Sequence, residues 1–85
     1  MSTQLHTEIK AFILENYLFT ADESAIGSDD SLLDEGIVDS TGMLDIILFL
    51  EEELGVTVED HEMIPENLDS VNRLAAFVLR KRDSG

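Results

Sequence analysis

Residues 36–54 read GIVDSTGMLDIILFLEEEL, and their apolar positions are more numerous than one buried face of a short helix requires. On a helix that starts at Asp39 or Ser40 and ends near Leu54, a stripe of Met43, Ile46, Ile47, Leu50 and Leu54 faces the rest of the fold. Leu44 and Leu48 then point to a different side, bracketed by Thr41, Asp45, Glu51 and Glu52. They form either a small apolar patch with an acidic rim or a second face covered by the first helix or by a loop. Phe49 is expected to be covered. Gly55 ends the helix by supplying a left-handed cap. The run Glu51 to Glu53 sits where negative charge opposes the helix dipole, at about 0.3–1 kcal/mol per charge, a placement that a basic partner would offset.

Upstream, Leu5, Ile9, Phe12, Ile13, Leu14 and Tyr17 recur at steps of three and four. That spacing predicts an amphipathic helix from about Thr3 to Phe19, capped by Ser2 or Thr3. From Thr20 to Asp39 the period fails and Asp, Ser and Gly accumulate, which predicts a long loop anchored by Ile26, Leu32, Leu33, Ile37 and Val38. Loops of that length are uncommon in compact domains and are often functional. Downstream, VTVEDHEMIPENLDSV predicts a short extended piece and one helical turn before Pro65. A last helix from Asp69 or Ser70 to Arg82 buries Val71, Leu74, Ala75, Val78 and Leu79, and places Arg80, Lys81 and Arg82 where the dipole favours positive charge. The expected fold class is all-α: a small bundle of three main helices plus one short helix, forming a single domain over residues 1–85.

A chain of 85 residues without cysteine builds one modest core and cannot rely on disulfides. No apolar run approaches the roughly 20 residues of a membrane span, and the N-terminal stretch has neither the basic start nor the apolar core of a signal peptide. Together with the lack of cysteine this leads to a cytoplasmic expectation. Nineteen acidic side chains against five basic ones set the net charge at −14, which argues against nucleic acid or anionic lipid as the main partner. A basic protein surface suits it better, although such charge also serves solubility alone.

Two Asp-Ser pairs precede predicted helices, and either member of each pair is a good N-cap. Asp69-Ser70 is followed by Val71, Asn72 and Arg73 and leads into the basic helix. Asp39-Ser40 ends the long loop, follows Gly36 by three residues and opens the helix with the extra leucines. A hydroxyl at a helix N-terminus lies in a positive local field that favours a phosphodiester attached there.

On Gly36-Ile37-Val38-Asp39-Ser40-Thr41, continued by Leu48-Phe49-Leu50-Glu51-Glu52-Glu53-Leu54-Gly55, the chain resembles the acyl carrier protein family. The order of elements agrees along nearly the whole chain. The resemblance implies that Ser40 bears a 4′-phosphopantetheine arm, donated by coenzyme A through a phosphopantetheinyl transferase, with Asp39 assisting at the transferase's Mg²⁺ site. It implies that Thr41, Leu44, Asp45, Leu48, Glu51 and Glu52 meet basic docking surfaces on transferases, acyl or aminoacyl ligases and acyltransferases. The protein is then a monomeric carrier of thioester-linked cargo and not itself an enzyme. Acidic steering of that kind speeds encounter and weakens with salt, which suits transient contact. Thr41 stands where carriers for fatty acids usually have leucine, and Gly42 follows it. The resulting Asp-Ser-Thr-Gly resembles D-alanyl and stand-alone amino-acid carriers, and implies a specialised pathway. Gly42 also leaves the backbone beside Ser40 open to close approach.

Other chemistry fares worse. Ser40, His61 and an aspartate make a triad only on paper, and His6 and His61 read as surface residues. Asp29, Asp30, Asp34 and Glu35 miss EF-hand spacing because a leucine falls on a ligand position, and no cysteine is present for zinc. The rival from another class is an acidic helical adaptor or inhibitor that fills a basic groove and carries nothing. It would bind equally well as Ser40→Ala, whereas a carrier would lose all function.

Overall fold

The computed structural model describes residues 3–20 and 22–84. Four α-helices, one π-helical turn and two 3₁₀ turns follow one another with no strand among the described residues. Helix α1 spans Thr3–Ile13, α2 Ser40–Glu53, α3 Pro65–Leu68 and α4 Val71–Ser84. The predicted cap Ser2 lies outside the described residues, and Thr3 is already helical.

Leu5, Ile9 and Ile13 repeat every four positions and put one face of α1 into the core, where α1 packs against α4. The predicted continuation to Phe19 is not α-helical. Leu14–Leu18 form a π-helical turn, which Phe19 closes in the left-handed region at φ 53°. The Leu14 carbonyl accepts from both Phe19 N–H and Thr20 N–H, and this closure ends the helix without a glycine.

The long loop is tied down at several points. Ile26, Leu32 and Val38 are buried as expected, whereas Ile37 is half-buried and Leu33 is exposed. Its tight turn passes through Gly36 at φ +72°, and Leu32 C=O accepts from Ile37 N–H at 3.0 Å and from Val38 N–H at 3.2 Å. The start of α4 holds the loop from below. Asp69 accepts from Ser31 Oγ and, at 2.9 Å, from Leu33 N–H, and its own carbonyl accepts from Leu32 N–H. Asn72 adds bonds from its amide to Asp29 and from its N–H to Ser28 C=O. The half-buried His6, expected on the surface, places Nε2 2.8 Å from Asn72 Oδ1.

Helix α2 sends Ile46, Ile47 and Leu50 into the same core, with Leu54, Val56 and Val58 buried just beyond it. Gly55 at φ +71° turns the chain as expected. Arg82 donates to Leu54 C=O at 3.1 Å, so the basic end of α4 satisfies a carbonyl at the acidic end of α2. The turn expected before Pro65 is the 3₁₀ turn Asp60–Glu62, and Pro65 itself opens α3 as its first residue. In α4 the buried stripe is shifted: Phe77 is buried in place of Leu79, which is 38% exposed. Helix α4 packs against both α1 and α3, so its covered arc extends toward Phe77 and stops short of Leu79.

Candidate functional site

Asp39 is the N-cap of α2. Its backbone is extended, and Oδ1 accepts from Gly42 N–H at 2.8 Å, filling one of the open donors of the first turn. Ser40 is therefore the first helical residue and not the cap. It is exposed, and its Oγ makes no hydrogen bond among the described residues. The second pair behaves oppositely: Ser70 is 3% exposed and its Oγ accepts from Arg73 N–H, while Asp69 is buried under the loop.

Ser40 opens onto an apolar groove of about 240 Å³ between α2 and α3, lined by Met43, Leu44, Ile47, Met63, Ile64 and Pro65 among others. Met63 and Ile64 are exposed, and no sequence signal singled them out. They form the far wall because Pro65 opens α3 there.

A larger groove of about 530 Å³ lies on the other side of α2, between it and α1, and Ser40 does not line it. Phe12 and Phe49 stack in it with centroids 4.3 Å apart, so Phe49 is half-covered. Asp45, Glu52 and Glu53 rim it, and none of the three is in an ion pair among the described residues. Leu44 and Leu48, 55% and 51% exposed, thus form a ridge with one leucine lining each groove. Thr41 and Glu52 are exposed on the same helix. Glu51 is half-buried and accepts from Val58 N–H at 3.1 Å, fastening the chain that follows α2.

The residue that sequence reasoning missed is Tyr17, assigned to the buried stripe of the first helix. Its hydroxyl donates within reach of two acceptors, Gly42 C=O at 3.0 Å and Asp45 Oδ2 at 3.1 Å. Burial first, then the hydrogen bond and charge of Asp45 and the charge of Asp39, push the phenol up to about 12, so it stays protonated. Gly42 is what admits the ring. A Cβ there would sit 3.1 Å from Val38 Cβ and 3.2 Å from Tyr17 Cε1. The open approach expected at Gly42 is therefore filled by the protein's own tyrosine. A glycine facing a helix-end tyrosine is the only signal the sequence holds for it.

Comparison with known proteins bears on this geometry. Residues 18–78 match the family described as phosphopantetheine attachment site. The acyl carrier protein of Thermotoga maritima is 26% identical over 78 residues, which cover 92% of this chain and 91% of that protein. The D-alanyl carrier protein of Abiotrophia defectiva is 32% identical over 53 residues, covering 62% of this chain and 67% of that protein. With the match running over most of the helical bundle and both Asp-Ser pairs, the chain belongs to the acyl carrier protein family, whose members hold 4′-phosphopantetheine covalently.

Proposed function

We propose that residues 1–85 act as one carrier domain whose arm is attached at Ser40. The observation that carries this reading is the exposed Ser40 hydroxyl, without a hydrogen bond among the described residues, at a helix N-terminus whose cap is supplied by its neighbour. In the transfer, Ser40 Oγ gives up its proton to a base on the transferase and bonds to the pantetheine-side phosphorus of coenzyme A. The anhydride bond breaks and adenosine bisphosphate leaves. Asp39 spends Oδ1 on the cap, and its exposed carboxylate keeps Oδ2 for a Mg²⁺ brought by the transferase. The first-turn N–H groups favour the phosphodiester. Once attached, the arm supplies a thiol that holds an acyl or aminoacyl group as a thioester.

The ridge of Leu44 and Leu48 with Thr41, Asp45 and Glu52 faces the basic docking surfaces of the transferase and of acyl or aminoacyl ligases and acyltransferases; Glu51 serves it from the edge. The apolar groove beside Ser40 suits the pantetheine stem. Asp-Ser-Thr-Gly and the likeness to a D-alanyl carrier protein support a specialised pathway with small or aminoacyl cargo. Lack of cysteine suits the reducing cytoplasm, where we place the protein as a monomer that is acted on and does not itself catalyse.

Intact mass and thiol titration test this together, because the chain has no thiol of its own. Incubation with coenzyme A, Mg²⁺ and a broad-specificity phosphopantetheinyl transferase should add one phosphopantetheine and one titratable thiol. Ser40→Ala should abolish both and Ser70→Ala neither. No gain in folded wild type, beside a control carrier that is modified, would leave the acidic adaptor as the function.

A further inference from the structure

Resting on the carrier reading, we infer that Tyr17 is a positioning residue: through Asp45 and the Gly42 carbonyl it sets the first turns of α2 for the enzyme that acts on Ser40. Three observations meet at this side chain. Its hydroxyl reaches two acceptors on the very turns that follow Ser40. Its ring fits against a backbone that has no side chain at position 42, so ring and glycine are complementary in shape. It stands on the π-helical turn Leu14–Leu18, where α1 departs from the regular helix, and such turns often mark functional sites.

Tyr17 is only half-buried, so water can serve Asp45 and the Gly42 carbonyl when the hydroxyl is removed. Fold stability therefore depends little on this hydroxyl, whereas the direction of the Asp45 carboxylate depends on it strongly. Asp45 rims the groove between α1 and α2 together with Leu48 and Glu52, where a basic side chain of the partner would meet it. A carboxylate bonded to Tyr17 through Oδ2 keeps Oδ1 for that guanidinium or ammonium group, in an orientation already chosen before encounter.

The test is steady-state phosphopantetheinylation with coenzyme A, Mg²⁺ and the same transferase, using the full chain as wild type, Tyr17→Phe, Asp45→Asn and the double variant. Tyr17→Phe keeps the ring against Gly42 and removes only the donor. Its KM for the carrier should rise about three- to tenfold with kcat within about twofold, and Asp45→Asn should do the same. In the Asp45→Asn background, Tyr17→Phe should raise KM clearly less than it does in wild type, because the Gly42 carbonyl alone is left to act through, a non-additivity that a merely structural tyrosine would not produce. Unchanged KM in Tyr17→Phe, additive effects in the double variant, or a KM loss that follows a fall in melting temperature would each overturn the inference while Ser40 is still modified in wild type. A wild type that accepts no arm would overturn the carrier reading and this inference with it. Should Tyr17→Phe not fold, Tyr17→Leu, which also removes the hydroxyl, replaces it in the same cycle with Asp45→Asn, and the same outcomes decide.

Discussion

Two aspartates that look alike in sequence have opposite duties. Asp69 is buried and holds Ser31 Oγ and Leu33 N–H, so it fastens the loop that delivers Ser40. Asp39 is exposed and holds one N–H of its own helix. Asp69→Ala strands two donors beneath the loop and should lower stability by about 2–3 kcal/mol. Asp39→Ala loses a cap and should cost about 1 kcal/mol. Modification should follow the reverse order: Asp69→Ala is still modified under conditions where it is folded, and Asp39→Ala is slowed at least tenfold. Urea melts and timed mass spectra of the two variants check this. Equal stability losses would refute the loop-clamp role of Asp69, and normal modification of Asp39→Ala would refute the metal role proposed for Asp39.

Elements were legible where their ends carry chemistry of their own. Helix α2 begins at an Asp cap and ends before a glycine at φ +71°, and both marks stand in the sequence. The end of α1 has no such mark, because residues 13–20 contain neither Gly nor Pro and the stop is made by backbone bonds to Leu14 C=O. Tyr17 was obscured for the same reason: a helical period carried through to Phe19 assigns it to the core, and the π-helical turn aims it at α2 instead. Leu79 and Phe77 exchange places because a period gives the direction of a stripe but not its width. Phe19 violates two local preferences at once, being 84% exposed and left-handed. Phe19→Gly should relieve about 1–2 kcal/mol of left-handed cost and return about 0.5–1 kcal/mol in unfolded-chain entropy. The net gain, about 0.75 kcal/mol at the middle of those ranges, should raise Tm by about 3–6 °C. Phe19→Ala, which keeps the backbone cost, should gain nothing. A lower Tm for Phe19→Gly would mean that the ring contributes packing.

At the scale of the molecule, the excess of negative charge works against stability. The basic side chains of α4 serve the protein itself: Lys81 pairs with Glu62 at 2.8 Å, Arg80 donates to Asn67, and Arg82 donates to Leu54 C=O. Little of the acidic ridge of α2 is neutralised from within. Two effects of salt then oppose each other. Screening weakens the Lys81–Glu62 pair, whose hydrogen bond holds the Glu62 carboxyl below the usual range. That pair stabilises the fold above the ordinary glutamate pKa and loses its effect as pH falls through the depressed value, so Glu62→Gln should lower Tm at neutral pH and not in strong acid. Screening also relieves repulsion among nineteen acids against five bases. At about 0.01 M ionic strength the screening length is about 30 Å, comparable with the molecule's longest extent of 33 Å, so nearly every acid feels every other. At about 0.15 M it is about 8 Å and only neighbours interact. One half-buried pair is worth little beside that sum, so repulsion decides the sign and Tm should rise with salt. Relief of about 1 kcal/mol corresponds to a rise of about 4–8 °C for a domain of this size. Thermal melts at the two ionic strengths, repeated with Glu62→Gln, check it. The variant, lacking the pair that salt weakens, should gain slightly more than wild type, and a Tm that falls with salt in both would mean that attraction outweighs repulsion in the folded chain.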